Sequence, residues 1–539
     1  MEIFIVFTFS LFFSALNMLP VLLSAFSVPQ NSIFIGIPHW YEDYFFYLSL
    51  IKQGMMGQWQ AVNWFTTEIL PHYPGYWCYL LLGRIGAITH IEPWIMYNVT
   101  LFLSSVLYLS LMYCFIRHMF PKQPILRVIG YIFAISATAF FSISYEHQIM
   151  TITPYLFYFT PTLALNRLGG SIHPLWTNIL ALTYIYVSYP LLDGLLKKTL
   201  LQFSKKRLLL VMVIHIVLFS LNPAAAAMVL VSFGITGFLL LLNKKHWSRF
   251  YPLMGIIILL SVISIPFLFQ YTDASKHPFY QNILLSYSKT FPRVTLGLFF
   301  PATGAISIFA IMGFFPWIRK KTTLSVFGAV FVLFPILLYL SPIPGVCNLP
   351  YERILQPASY IFLGPIAALG LITTATYLHT VTHIKKILFI IFFFIFFLLL
   401  QAVVVRQEVE SRIRGLQDVQ YFNVINKELY NGLKYLGDKP PGIIFGPYIP
   451  SLIAPALSGK PVYAAHRLLT IAYNQKTKDI DDFFNMRWSE TEAKTFFMEN
   501  SIRYIVLPVS KESQNTVQTL YPFLSPIWSK ETLGIYEIK

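Results

Sequence analysis

The chain has 539 residues, of which 56% are hydrophobic, 17% aromatic and only 12% charged, with a net charge of +16. A soluble core of this length would not need so much apolar surface, so the composition predicts a polytopic membrane protein. The positive charge does not indicate nucleic-acid binding, because the basic residues form short clusters between apolar runs. The three cysteines, Cys78, Cys114 and Cys347, are scattered and predict neither a disulfide framework nor a zinc site.

Apolar runs recur up to residue 405, and each is about long enough to cross a bilayer as a helix. These runs are 3–27, 94–116, 125–143, 173–196, 207–221, 222–243, 251–270, 294–318, 322–341, 354–378 and 387–405. Clusters of Lys and Arg fall in alternate connections, which places the N-terminus inside and the C-terminus outside by the positive-inside rule. We therefore predict a mainly α, multi-pass protein of a plasma or inner membrane, with about eleven transmembrane helices in residues 1–405.

The longest connection, residues 29–93, follows the first apolar run on the predicted outer side. Its many Trp, Tyr and Phe residues are typical of helices that lie in the headgroup layer. The stretch 73–90 is predicted to be such an interfacial helix, since Arg84 in the middle of the run disfavours a membrane span. Asp43 and Tyr47, four residues apart, are predicted to share one face of a helix.

From residue 406 the composition changes, and charged helical patterns alternate with short β-like runs such as GIIFG, KPVYAA, IRYIVLPV and GIYEI. This pattern predicts a small extracytoplasmic α/β domain over 406–539. After KPVYAA come His466 and Arg467, which form either a binding loop or an ordinary strand-to-helix turn.

Within the first outer loop, Asp43 and Tyr47 are followed by Gly57-Gln58-Trp59, Glu68, Pro71-His72 and Tyr76-Trp77. This order resembles the GT-C superfamily, membrane glycosyltransferases that take a sugar from a polyprenyl-phosphate donor. The likeness is closest to the branch of the protein O-mannosyltransferases and the aminoarabinose transferase of lipid A. Two features differ, because the acidic pair is Glu42-Asp43 instead of Asp-Glu and no lysine follows Glu68.

The resemblance implies transfer of a sugar from a lipid-linked donor to a glycan, lipid or protein acceptor on the outer face of the membrane, with inversion at the anomeric carbon. Such a reaction needs a base for the acceptor hydroxyl and cations for the departing phosphate. We assign Asp43 as the base, assisted by Glu68 or Glu42. Candidate residues for substrate binding are Arg353, Arg84, Tyr47, Trp59, His72, Lys276 and Arg293.

The GT-C branches that the chain most resembles work without a metal, so we expect no cofactor. A divalent ion such as Mg²⁺ or Mn²⁺ stays open as an alternative, since Asp43, Glu68 and nearby histidines have suitable donor atoms. A transporter would carry ionisable residues inside its spans and show repeated halves, which the sequence does not indicate. The other alternative is a non-catalytic scaffold or receptor that binds envelope lipids or glycans through its C-terminal domain.

Overall fold

The computed structural model describes residues 2–26, 28–38, 40–72, 74–146, 149–155, 162–197, 205–244, 247–290, 295–346, 349, 351, 354–355, 357–417 and 424–539. Its first eleven helices are α1 (Glu2–Ala25), α2 (Tyr41–Met55), α3 (Trp77–Thr89), α4 (Pro93–Met119), α5 (Pro124–Ser136), α6 (Ala164–Leu168), α7 (Ile172–Lys197), α8 (Lys205–Leu221), α9 (Pro223–Lys244), α10 (Phe250–Lys276) and α11 (Pro278–Thr290). The remaining helices are α12 (Leu296–Thr303), α13 (Ala305–Arg319), α14 (Thr323–Leu340), α15 (Ile343–Val346), α16 (Tyr360–Thr382), α17 (Lys386–Gln417), α18 (Lys427–Gly437), α19 (Tyr448–Ser458), α20 (Tyr473–Phe484), α21 (Glu490–Glu499) and α22 (Lys511–Leu520). The strands are β1 (Ser32–Phe34), β2 (Phe141–Glu146), β3 (Ile149–Pro154), β4 (Val424–Asn426), β5 (Ile443–Phe445), β6 (Ile502–Leu507), β7 (Leu524–Ser529) and β8 (Gly534–Ile538).

In the described residues, eight helices are long and apolar enough to cross a membrane, and a bent pair would make nine. The eight are α1, α4, α7, α9, α10, α14, α16 and α17, and the pair is α12 with α13, which meet at 96°. The predicted runs 125–143 and 207–221 contain helices of 13 and 17 residues, shorter than the others. The mainly helical, multi-pass prediction is confirmed, whereas the number of spans and their orientation stay predictions.

The described chain divides into two compact units. The first unit comprises Met1–Met18, Leu101–Asp273 and Leu284–Arg412, and the second comprises Leu19–Thr100, Ala274–Ile283 and Ile413–Lys539. The second unit therefore combines the predicted first outer loop with the C-terminal region. Helix α17 runs without a break through the boundary predicted at residue 406.

Within the first unit, helices α13 and α16 pack with their backbones in contact. A Cβ atom on Gly313 would lie 1.8 Å from the carbonyl oxygen of Ile366, and one on Gly370 would lie 1.8 Å from the carbonyl oxygen of Phe309. Small residues at such crossings let apolar helices gain van der Waals contact along their backbones.

Buried charged groups in the first unit are bound by backbone groups and by an aromatic ring. The Arg167 guanidinium donates to the Ala137 carbonyl at 2.6 Å and lies 4.0 Å from the ring centre of Tyr360. The Glu408 carboxylate accepts the Leu165 N–H at 2.9 Å. Because the partners are within the fold, these charges have a structural explanation.

The second unit contains a four-stranded mixed sheet in the order β5-β6-β8-β7, in which β5 and β6 are parallel and β8 is antiparallel to both neighbours. The sheet and helices α20, α21 and α22 bury an aromatic core that includes Phe445, Phe483, Phe497, Tyr521 and Tyr536. The strands predicted at GIIFG, IRYIVLPV and GIYEI are confirmed as β5, β6 and β8. The run KPVYAA forms isolated bridges at Val462 and Ala464 instead of a strand.

Strand β1 and helix α2, both within the predicted first outer loop, each pack against another element of the second unit. Strand β1 pairs antiparallel with β4, with Ser32 opposite Asn426 and Phe34 opposite Val424. Helices α2 and α3 cross at glycines, since a Cβ atom on Gly54 would lie 2.1 Å from the Leu80 carbonyl oxygen. This close packing fixes α2, the helix that carries the acidic pair.

Candidate active site

The acidic pair lies in the first turn of α2, in the second unit. Trp40, just before the helix, has a φ of 42°, so the chain enters α2 through a left-handed conformation that bulky residues rarely adopt. Carboxylates in the first turn interact favourably with the helix dipole. The helix is buried from Tyr44 to Leu48, whereas the Asp43 side chain is 44% exposed. Asp43 is therefore fixed on a packed helix and accessible to a substrate.

Residues 462–471, called here the 462–471 segment, lie against the first loop through backbone hydrogen bonds. The Val462 N–H donates to the Trp64 carbonyl at 2.8 Å, and the Thr470 hydroxyl donates to the Phe65 carbonyl at 2.7 Å. Thr66 and Ala464 form an antiparallel bridge. These bonds bring the turn after KPVYAA to the acidic pair.

His466, in this turn, faces Asp43. Its side chain is 2% exposed, and its Nε2 atom lies 3.5 Å from Oδ1 of Asp43. The Nδ1 atom accepts the Leu468 N–H at 3.2 Å, which leaves the proton of the neutral imidazole on Nε2. The buried Nε2–H has no hydrogen-bond partner in the described part of the chain, and the Asp43 carboxylate oxygen, 3.5 Å away, is beside it without being bonded to it.

Glu42 is held by two groups from the C-terminal region. The Tyr448 hydroxyl donates a hydrogen bond to Oε1 of Glu42, and Nε of Arg467 lies 3.5 Å from the same oxygen. Burial and the bond to Glu42 raise the pKa of Tyr448, so the phenol stays protonated and remains a donor. Arg467 is 65% exposed, which leaves most of its guanidinium accessible for a further anion.

Glu68 forms an ion pair with Lys476, with an Oε1 to Nζ distance of 2.8 Å, and accepts a hydrogen bond from the Thr66 hydroxyl. Burial acts to raise the pKa of Glu68, but the hydrogen bonds from Lys476 and Thr66 outweigh it and lower the pKa overall. Burial lowers the pKa of Lys476, and Glu68 partly offsets this. No lysine follows Glu68 in the sequence, but Lys476 of α20 lies beside it in the structure.

The candidate substrate-binding residues are not all brought to the acidic pair. Arg84 donates to the Gly57 carbonyl and lies 4.5 Å from the ring centre of Trp59, so these two candidates contact each other. Tyr47 stacks on Tyr79 at 4.6 Å in the buried part of α2.

The other candidates lie at the surface or outside the described residues. His72 is exposed, with Nδ1 3.1 Å from the Ala61 carbonyl oxygen, and Lys276 is exposed at the end of α10. Arg353 and Arg293 lie outside the described residues.

An open cavity of about 700 Å³ adjoins the turn that carries His466. Its lining includes Arg467, Thr470, Ala472, Tyr473 and Asn474. Ala472 has a φ of 52°, a second left-handed residue at this site. Non-glycine residues in this region store strain, which is often found where a fold positions functional groups.

No three His, Cys, Asp or Glu side chains of the described chain converge closely enough to hold a metal ion. The cationic side chains that contact Glu42 and Glu68 are Arg467 and Lys476, respectively. The sequence prediction of no metal stays an expectation.

The amino-acid sequence matches no protein-family model and no curated protein sequence. The structure is similar to the oligosaccharyltransferase AglB of the archaeon Archaeoglobus fulgidus. The complex of AglB with an inhibitory peptide and a dolichol-phosphate aligns over 99% of this chain and 74% of AglB, with 12% identity and a TM-score of 0.50. The apo form of the A. fulgidus oligosaccharyltransferase aligns over 96% of this chain and 71% of its own chain, with 12% identity and a TM-score of 0.53. ArnT from Cupriavidus metallidurans bound to undecaprenyl phosphate aligns over 98% of this chain and 97% of ArnT, with 10% identity and a TM-score of 0.45.

Proposed function

We propose that this chain, which has the GT-C fold of AglB, is a membrane glycosyltransferase that uses a polyprenyl-phosphate-linked sugar as donor. The observation that carries the proposal is the acidic pair on a fixed helix: the exposed Asp43 carboxylate faces the buried imidazole of His466, and the adjacent Glu42 faces the accessible Arg467. The dolichol-phosphate bound by AglB supports a lipid phosphate as the donor class. The acceptor is a cell-envelope glycan, lipid or protein on the outer face of a plasma or inner membrane.

In the proposed reaction, Asp43 accepts the proton of an acceptor hydroxyl as its oxygen attacks the anomeric carbon. The bond between that carbon and the phosphate oxygen breaks, and the lipid phosphate leaves with the electron pair. One displacement of this kind inverts the anomeric configuration. Arg467 stabilises the charge on the departing phosphate, because a guanidinium forms charge-assisted hydrogen bonds with phosphate oxygens.

The neighbouring residues have different proposed roles. His466, whose Nε2 lies 3.5 Å from Oδ1 of Asp43, closes to hydrogen-bond distance when substrate binds and then orients the carboxylate. Glu42 positions Tyr448 and Arg467. Glu68, already paired with Lys476, holds the loop against α20, and its lowered pKa makes it a weaker base.

The test is transfer of radiolabelled sugar from a panel of polyprenyl-phosphate donors in membranes that contain the wild type, Asp43→Asn or Arg117→Gln. Arg117 is an exposed residue of α4 in the first unit and serves as the control. We expect labelled product with the wild type and the control and a loss of 10²-fold or more, on the order of a general base's contribution, with Asp43→Asn.

Two results would contradict the proposal. Product that survives Asp43→Asn at equal protein level would remove Asp43 as the base. Absence of product with every donor would favour a scaffold, receptor or transporter.

A further inference from the structure

A second cavity in the second unit, of about 500 Å³, lies where α2, α18 and β7 meet. It lies at the opposite end of α2 from the acidic pair, since Lys52 is nine residues beyond Asp43, or about 14 Å along the helix axis. The proposed transfer reaction does not use this cavity.

One wall of the second cavity is aromatic. The rings of Tyr435 and Trp528 lie 5.0 Å apart between centres, with an interplanar angle of 42°. A Cβ atom on Gly432 would lie 3.5 Å from Nε1 of Trp528, so the indole edge is packed against α18. The C–H groups of a sugar can pack against the faces of such rings. Lys439, whose Nζ lies 4.2 Å from the ring centre of Tyr435, covers part of the Tyr435 ring.

The polar groups of this cavity offer both donors and acceptors. The Lys52 ammonium and the Asp438 carboxylate have no hydrogen-bond partner in the described residues, and Asn431 adds a carboxamide. Lys434 is already paired with Glu92 at 2.5 Å. A sugar ring needs this combination, because each hydroxyl both donates and accepts. The two charges, Lys52 and Asp438, are of opposite sign, which favours an uncharged ligand over a phosphate.

We propose that this cavity binds an uncharged carbohydrate chain, with one ring on the Tyr435 and Trp528 wall and its hydroxyls on Lys52 and Asp438. The inference deepens the proposed function by making the acceptor a glycan. The glycan is held at one end of α2, and its terminal hydroxyl reaches Asp43 at the other end. Only this acceptor role rests on the proposed function. Binding itself depends on the cavity alone.

The test uses the full chain in nanodiscs and saturation-transfer-difference NMR with mannan, galactan, glucan and arabinan fragments of three to six sugar units. We expect at least one fragment to bind the wild type and to bind at least tenfold more weakly to Trp528→Ala and to Asp438→Asn. Asp438→Asn keeps the shape of the side chain, so weaker binding in this variant reports a lost contact with the ligand and not a loss of folding. Asp481→Asn, at an exposed acid of α20, should bind as the wild type does.

The outcomes separate this inference from the proposed function. Failure of every fragment to bind, unchanged binding in both cavity variants, or an equal loss of binding in Asp481→Asn would overturn the carbohydrate site. If fragments bind as expected but the wild type transfers no sugar, the transferase is refuted and the site stands. If transfer occurs but Asp438→Asn leaves the KM for a glycan acceptor unchanged, the acceptor role is refuted and the transferase stands.

Discussion

The imidazole Nε2 of His466 lies 3.5 Å from Oδ1 of Asp43, and the Leu468 N–H on Nδ1 fixes the proton on the nitrogen that faces the carboxylate. The relationship places a buried, unsatisfied N–H donor beside the exposed acid. It also makes the site dependent on two segments that are distant in the chain.

Substitution of His466 should lower the rate of transfer without weakening donor binding. We expect His466→Phe to reduce kcat about tenfold. The Nε2–H lies 3.5 Å from Asp43 and would close to a hydrogen bond in the substrate complex, where loss of one donor to a carboxylate costs about 1.5 kcal/mol. His466→Gln, which keeps an N–H donor, should recover part of this rate. Steady-state kinetics in nanodiscs would measure both effects, with thermal unfolding to verify the fold. An unchanged kcat in His466→Phe, or an effect on KM alone, would show that His466 does not position the base.

Substitution of Arg467 should weaken use of the donor. Loss of a charge-assisted hydrogen bond to phosphate costs about 1.5–3 kcal/mol, so kcat/KM for the donor should fall roughly 10–100-fold in Arg467→Gln. Arg487→Gln is a matched control, because Arg487 is also 65% exposed and pairs with an acid, Asp482. Equal activity of the two variants would exclude Arg467 from the phosphate site.

The Glu68–Lys476 pair should contribute stability that depends on pH. Because the folded-state pKa of Glu68 is lowered, its contribution is present above its unfolded pKa of about 4.3 and is lost as the pH falls through the lower folded value. Since Glu68 is 39% exposed and screened by solvent, we expect Glu68→Gln to cost about 1 kcal/mol at neutral pH. Thermal unfolding from pH 7 to pH 3 should show the difference from the wild type shrinking below about pH 4, with exposed Glu490→Gln as the control. A difference that grows on acidification would contradict the assignment.

Arg84 and Trp59 should stabilise the loop and leave the donor site unaffected. Arg84→Gln removes the bond to the Gly57 carbonyl and the contact with Trp59. We expect faster hydrogen exchange around residues 55–60 and a donor KM within about twofold of the wild type, since the contacts are internal. A tenfold rise in donor KM would instead support the substrate-binding role predicted from the sequence.

Chelation should leave transfer intact if the chain supplies its own cations. Because Arg467 lies beside Glu42 and the cavity, we expect EDTA to change the initial rate by less than about twofold. Loss of activity in EDTA that Mg²⁺ or Mn²⁺ restores would support the alternative, metal-assisted reaction.

The sequence predicted those features that depend on local pattern. Long apolar runs became helices, and Asp43 and Tyr47 lie on one helix, α2, with the acidic pair in its first turn. Strand β7 was missed, because Pro526 and two serines are atypical of strands.

The partners of the acidic side chains could not be predicted from local pattern. Lys476 meets Glu68 across 408 residues, and Tyr448 meets Glu42 across 406. Such pairs depend on how the 462–471 segment and α19 pack against the first loop. His466 and Arg467 were noticed from the sequence, but nothing in the chain order connected them with Asp43 and Glu42.

The pairing of β1 with β4 has a consequence for synthesis of the protein. Ser32–Phe34 leaves the ribosome well before Val424–Asn426 exists, and Tyr448 follows Glu42 by 406 residues. At about 5–20 residues per second, translation of that interval takes roughly 20–80 s. During this time the nascent chain carries a strand edge without its partner and acids without their cations. The groups that face Glu42, Asp43 and Glu68 are therefore all present only after residue 476 has been translated.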